Sequence, residues 1–388
     1  MNEKFDIYAD SSANLTEKMI ADCGIKVISY ECTCDGKKVI CYSGRPFSDD
    51  ARDFYGAMSR GAEVSTSLIS SQRFYDAAEQ SLKEGRDALI ITISAQVSGT
   101  HKQACLAAEQ LEKDYPGRRV YVFDSANSGF GEGLLAVQAA RLKNMGESAE
   151  VCFKQLEISR FRLNSYFTVA DLKYLKKGGR ISGAVAIAGT ILNIKPILRA
   201  DGNGRIAMCG KVRGRKKSVA ELADCYKNNA VFPEGSTVAI SHCNCEEDAL
   251  ALADMVRAMG AKDVTIEYFD IVSGAHVGQR RPQAEQCAPK TERDHTTLQI
   301  KNSDCRRANC AAAVRCLKIS YPARTGCHLP SSATARMVRA SSVAEREETI
   351  PAPSSIIVAM RAGVSAPPDF TVILPRTAAA ICESSSSS

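Results

Sequence analysis

A chain of 388 residues, 45% of them hydrophobic, holds enough material for two or three domains with sizeable cores. Its formal net charge of +6 sits entirely in residues 279–388, where fifteen Lys and Arg face nine Asp and Glu; residues 1–278 carry 35 of each sign and are neutral. A neutral front portion gives no electrostatic ground for nucleic-acid or membrane-surface binding. Sixteen cysteines in a chain neither small nor visibly secreted are expected to be mostly free thiols.

The opening Met1-Asn2-Glu3-Lys4-Phe5-Asp6 lacks a basic stretch followed by an apolar one, so no signal peptide and a cytoplasmic protein are expected. Residues 5–9 form an apolar run ending at Asp10-Ser11-Ser12, which predicts a strand, a polar turn and a helix from about Thr16. Runs 25–30 and 38–42 predict strands around the turn Asp35-Gly36. Ser48-Asp49-Asp50 predicts a capped helix reaching Arg60. Residues 88–93, polar only at Thr92, predict a strand followed by a helix over 98–115. A strand over 119–123, Asp124-Ser125 and a helix through Met145 follow. This alternation implies a mostly parallel sheet with flanking helices, a first domain over 1–148.

A second domain is expected over 149–278. A strand over 165–169 precedes a short helix from Asp171 to Gly178-Gly179. Runs 192–199 and 205–211 predict a strand pair around Asp201-Gly202-Asn203-Gly204. A helix from Ser218, a strand over 237–241, a helix over 246–259 and a strand over 264–268 complete an α+β unit with a mixed sheet. The apolar stretch 183–198 is broken by Asn193, Lys195 and Pro196 and is too short to span a bilayer.

Composition changes after Gly278. Residues 279–388 hold nine of the thirteen prolines but two of the 26 glycines, and Arg outnumbers Lys twelve to three. Only 354–360 and 370–374 look strand-like. Three readings compete: a disordered interaction segment, a small domain stapled by its six cysteines, or an out-of-frame translation replacing the true C-terminus.

Hydroxyl side chains collect where strands end: Asp10-Ser11-Ser12, Ser65-Thr66-Ser67, Ser94 with Ser98 and Thr100, and Asp124-Ser125. Each alone reads as a helix cap. Together, at one sheet edge, they read as donors for an anionic ligand, because ligands of open α/β sheets sit beyond the carboxyl ends of the strands. Walker, G-x-S-x-G and H-E-x-x-H motifs are absent from the sequence. Ser98 and His101 are neighbours without an evident third group. Lys176-Lys177-Gly178-Gly179-Arg180 reads either as a phosphate-binding loop or as a basic helix end with C-cap glycines. The pairs Cys32/Cys34 and Cys243/Cys245 supply two ligands each. Strand packing explains such spacing, and a metal site adding His242 is the alternative.

Eight short motifs in order resemble the DegV family. Asp10-Ser11-Ser12-Ala13-Asn14-Leu15 is similar to its opening D-S-x-x-x-L, Ser65-Thr66-Ser67-Leu68-Ile69-Ser70 to T-T-S-Q-P-S, and 93–100 to I-S-S-x-L-S-G-T. Asp124-Ser125, 175–182, 192–198 and 211–217 continue the match, and Gly274-Ala275-His276-Val277-Gly278 resembles the closing G-x-H-x-G. Leu68-Ile69 stands where the family has Gln-Pro, and Ser65 where it has Thr. Gln279-Arg280-Arg281-Pro282 stands where the family continues with Pro-Gly and a final apolar strand, so the second sheet is expected to lack its closing strand.

The resemblance implies a two-domain DegV-like α/β fold, a mostly parallel sheet with helices plus an α+β domain. A tunnel between the domains would hold one long-chain fatty acid. It places the carboxylate on Thr66 and Ser98, with Ser67, Ser94 and His276 beside them, and partner docking on Arg213 and Arg215. It implies no cofactor, no catalysis by the chain alone, and presentation of the carboxylate to a separate ATP-dependent kinase subunit for acyl-phosphate formation. Residues 185–194 are a candidate tunnel wall. A buried methylene contributes about 0.8 kcal/mol, so roughly a dozen favour tight binding. The alternatives are a serine hydrolase or phosphotransferase using Ser98 with His101 or His276, and a tail that binds nucleic acid through its arginines.

Overall fold

The computed structural model describes residues 5–181, 193–230, 233 and 236–278, and the backbone of 296–301. The chain runs β1 (Phe5–Asp10), α1 (Glu17–Cys23), β2 (Lys26–Ile28), β3 (Glu31–Cys34), β4 (Lys37–Ile40), α2 (Phe47–Ser59), β5 (Val64–Thr66), α3 (Ser71–Lys83) and β6 (Asp87–Thr92). It continues through α4 (Thr100–Asp114), β7 (Val120–Asp124), α5 (Phe130–Asn144) and α6 (Ala149–Ser159). Then come β8 (Asn164–Thr168), α7 (Lys173–Lys177), β9 (Ile194–Ala200), β10 (Ile206–Arg213) and α8 (Arg215–Asn229). The last described elements are β11 (Thr237–His242), α9 (Glu246–Ala258), β12 (Asp263–Tyr268), α10 (Ile271–Val277) and β13 (Thr296–Lys301).

The first sheet has the order β2-β1-β6-β7, every pair parallel. Successive side chains of a strand leave opposite faces. Ile7, Ala9, Leu89 and Ile91 therefore pack with Leu135, Ala139 and Leu156 on one side. Tyr8, Ala88 and Ile90 pack with Phe74, Leu82 and Leu111 on the other. All six residues of β6 are buried, as a strand covered on both faces requires; its unbroken apolar run follows from that. Helix α6, assigned to the second domain by the sequence reading, contributes Ala149, Cys152 and Leu156 to the first sheet's core. The chain crosses to the second sheet at β8.

That second sheet is six-stranded and mixed, with the order β10-β9-β8-β13-β11-β12. Only β11 and β12 pair in parallel. Helices α8 and α9 bury Leu222, Tyr226, Leu252 and Val256 against Ile197, Val238 and Ile240. The hairpin β9–β10 turns where expected, around Asp201 to Gly204. The position the sequence reading left without a strand is filled: β13 lies antiparallel to both β8 and β11, and its six residues come from beyond the compositional break. The strand-like runs 354–360 and 370–374 lie outside the described residues, as does 185–192 of the candidate tunnel wall.

A three-stranded antiparallel sheet, β4-β3-β5, was not expected in this form. Its strands are three or four residues long and mix polar with apolar side chains, so they carry no readable period. Its position matters, because β5 ends at Thr66. Helix α2 also begins earlier than expected, with Pro46 at the cap position and Asp49 and Asp50 within the first turn.

The two halves meet through Asn14, held at φ 55° in the left-handed region that Asn tolerates. Its side-chain amide donates to the Tyr268 carbonyl at 2.9 Å and accepts from the Asp270 N–H at 2.6 Å. The Tyr55 hydroxyl donates to the Phe269 carbonyl at 2.9 Å. These bonds fix the start of α10 on the N-terminal half.

Candidate functional site

A cavity of about 310 Å³ lies between the first sheet's carboxyl edge, the small sheet and the second sheet. Its apolar lining includes Ile93, Phe167, Leu175, Ile206, Phe269 and Val277. Thr66, Ser67, Ser94, Ser98 and His276 all line it. They arrive from three places: the end of β5, the loop between β6 and α4, and the last turn of α10. Arg213 and Arg215 do not line it. Arg213 is exposed on β10, whereas Arg215 is buried and its guanidinium pairs with Asp248 at 3.1 Å. In this conformation Arg215 is not offered to a docking partner.

The five lining residues are not equivalent. Thr66 Oγ1 and His276 Nε2 lie 2.9 Å apart, joining the small sheet to α10. Ser98 Oγ donates to Thr100 Oγ1 at 3.0 Å, and Tyr30 donates to the same oxygen at 2.7 Å. Ser67 is exposed, with its hydroxyl 3.3 Å from the Glu31 carbonyl. Ser94 is fully buried and donates to the Gly204 carbonyl at the hairpin tip, 2.8 Å away. Its hydrogen is thus committed to the junction between the halves. Gly204 is needed there: at φ 85°, a Cβ would meet Ser94 Oγ at 2.4 Å.

Sequence reasoning read Arg180 only as part of a phosphate-binding loop or a basic helix end. Its guanidinium lines the same cavity and is the cation there among the described residues. Its Nε donates to the Val97 carbonyl at 3.1 Å, and the guanidinium also donates to the Gly178 carbonyl. The Lys-Lys-Gly-Gly-Arg run was the available signal. Burial pushes His276 down to about 4, and the positive charge of Arg180 adds to that shift. At neutral pH the ring is uncharged, so it hydrogen-bonds as a neutral imidazole. A bound carboxylate would find hydroxyls, an imidazole and one guanidinium, the partners a buried anion requires.

The geometry gives no support to a Ser98–His101 pair. His101 turns away from Ser98: its Nδ1 is 2.9 Å from Thr92 Oγ1 and its Nε2 is 3.6 Å from Cys105 Sγ. The hydroxyl of Ser98 is engaged with Thr100. Of the C-x-C pairs, Cys32 and Cys34 lie in β3, as strand packing predicts, while Cys243 and Cys245 are buried in the turn after β11. Among the described residues no group of three His, Cys, Asp or Glu is placed to hold a metal ion.

Fold and cavity together define an α/β protein with a parallel and a mixed sheet and a largely apolar internal cavity. The chain belongs to the DegV family, whose description reads "Uncharacterised protein, DegV family" and which matches residues 4–281. A DegV domain-containing protein of Clostridium perfringens is 35% identical over 277 residues, covering 71% of this chain and 94% of that protein. Among solved structures, a DegV family protein of Thermus thermophilus, described by its fatty acid binding, is similar with a TM-score of 0.66 and 26% identity. It spans 76% of this chain and 99% of its own. DegV of Bacillus subtilis, described as a fatty acid binding protein, gives 0.63 and 25%, over 77% and 99%. Among the described residues no helix is long and apolar enough to cross a membrane.

Proposed function

We propose that this protein binds one long-chain fatty acid, with the carboxylate held at Thr66, Ser98, His276 and Arg180 and the acyl chain in the apolar cavity. The observation that carries this reading is that hydroxyl, imidazole and guanidinium groups line the same cavity as a set of apolar side chains. The fatty acid binding described for the Thermus thermophilus and Bacillus subtilis relatives supports it. Ser67 stands at the exposed rim and Ser94 braces the chamber, so both act on the carboxylate less directly. The chain then serves as a carrier. A separate ATP-dependent kinase subunit transfers the γ-phosphoryl group of ATP to the carboxylate, giving acyl phosphate and ADP, and the exposed Arg213 contributes to docking. The carrier needs no cofactor of its own and works in the cytoplasm.

The test is to load the protein with palmitate and add ATP with a bacterial fatty acid kinase subunit. Acyl phosphate is trapped with hydroxylamine. Hydroxamate forming only when carrier, kinase and ATP are all present supports the reading. Saturable palmitate binding without hydroxamate removes the kinase partnership and keeps the carrier. No palmitate binding removes both.

A further inference from the structure

Three fully buried carboxyls lie outside the ligand site and interact with one another: Asp10 at the end of β1, Glu132 in the first turn of α5, and Asp270 at the cap of α10. Asp10 accepts from the Ser12 N–H at 2.9 Å and the Ile93 N–H at 2.8 Å. The Ser12 hydroxyl oxygen lies 2.5 Å from Asp10 Oδ1 and 2.8 Å from Glu132 Oε2. A hydroxyl has one hydrogen and can satisfy only one of these contacts as donor. The other is a hydrogen bond only if a carboxyl supplies the proton, so the cluster holds at least one. Among the described residues Glu132 Oε1 and Asp270 Oδ2 are buried without a hydrogen-bond partner, which also disfavours full ionisation.

Asp270 connects this cluster to the ligand site. Its Oδ1 caps α10 by accepting from the Val272 and Ser273 N–H groups at 3.0 and 2.9 Å, and His276 is in the last turn of the same seven-residue helix. Among the described residues, the ionisable groups coupled to Asp270 from the packed elements include Asp10, Glu132, Cys32 of β3, Cys41 and Tyr42 after β4, and Tyr55 of α2. All are acidic or neutral, and none of them can balance a negative charge.

We propose that the Asp10–Glu132–Asp270 carboxyl cluster is a proton-dependent clasp that keeps α10, and with it His276, closed over the acyl ligand, so that ligand is retained at mildly acidic pH and released faster as pH rises. The role rests on the fatty-acid reading given above. Burial first, then the charge of Asp10, holds Asp270 up at about 7. Once the helix lifts and water enters, the group returns toward the ordinary carboxylate value of about 3.9. The closed state therefore keeps a proton that the open state loses. Its advantage is complete below about pH 4 and is withdrawn as pH rises through 7. For one proton, opening becomes about tenfold more favourable between pH 6 and pH 8.

Two readouts test this, each on the full chain. The first is release of preloaded cis-parinaric acid into excess unlabelled vesicles of neutral phosphatidylcholine, at pH 6 and pH 8 and constant ionic strength. The second is hydrogen exchange of the α10 amides in ligand-free protein, corrected for intrinsic exchange at each pH. The unaltered protein is expected to release about tenfold faster at pH 8 and to lose α10 protection in parallel. Asp270→Asn keeps a capping oxygen but cannot titrate, and both readouts should change less than twofold. Glu132→Gln, which lowers the same charge density from a different helix, covers the case in which Asp270→Asn does not fold, and should flatten both responses partly. Equal pH responses in the unaltered protein and the variants overturn the clasp. Failure to retain any cis-parinaric acid at pH 6 overturns the binding reading instead, and the exchange data still decide whether the cluster clasps α10.

Discussion

At the start of α10 a carboxyl is buried among other carboxyls; in its last turn a half-buried imidazole lies beside a hydroxyl and a guanidinium. Burial is the first cause of both shifts, pushing Asp270 up to about 7 and His276 down to about 4. The two ends differ in what surrounds them. The first end gathers acidic groups, Asp10 and Glu132 among them. The last end offers donors and a cation to an anion the protein does not itself supply. One helix thus has a regulatory end and a ligand end, and the sign of the unbalanced charge tells them apart.

Replacing Thr66 with Val and His276 with Ala together should have the largest effect. Each removes a hydrogen bond to a charged group, worth about 1.5–3 kcal/mol, so palmitate affinity should fall by roughly a hundredfold or more. Isothermal titration measures this, and a fall under fivefold would move the carboxylate elsewhere in the cavity. Gly274→Ala comes next. An added Cβ would lie 1.9 Å from the Tyr55 hydroxyl oxygen, so α10 must shift and the protein should lose about 1–3 kcal/mol in urea unfolding. Adding Tyr55→Phe should recover part of that loss, and no recovery would show that the contact is not what limits the helix.

The pH response of ligand-free stability separates the two ends. His276 has a folded-state value lowered from 6.5 to about 4, so its contribution is present above about pH 6.5 and is lost as pH falls through 4. Because the ring is incompletely buried, roughly 1–2 kcal/mol is expected over that range. His276→Gln should remove this part of the acid slope, and bound palmitate should reduce it by holding a negative charge beside the ring. An unchanged slope in His276→Gln would place the titration in another group, such as the buried His242, which burial also lowers to about 4. Ser94→Ala should do least. Losing one neutral hydrogen bond to Gly204 costs about 1 kcal/mol of stability. Palmitate affinity should barely move, whereas a tenfold loss would return Ser94 to the carboxylate.

The parts of this site written as contiguous motifs were legible in the sequence. Thr66, Ser98 and His276 each sit in a short run of small, polar and glycine residues between apolar segments, and all three reach the cavity. The alternation that builds the first sheet was equally plain, since β6 and its neighbours keep long apolar runs. What could not be read was pairing across the chain. Ser94 looked like its neighbour Ser98 until the hairpin tip was in place. The carboxyl cluster joins residues from three distant segments: Asp10 stood out only as part of the opening motif, and Glu132 only as a lone charge in a helix buried continuously from Phe130 to Ala140. The small sheet bearing Thr66 escaped because three-residue strands have no period. β13 escaped because it follows the segment where resemblance and composition both change.

The most direct test is native mass spectrometry of the intact chain purified at pH 6, followed by denaturing extraction and identification of bound lipid. One long-chain fatty acid per chain, absent from the Thr66→Val, His276→Ala protein, is the predicted result. A folded, unaltered protein that carries no acyl chain and takes none up from added palmitate would contradict it.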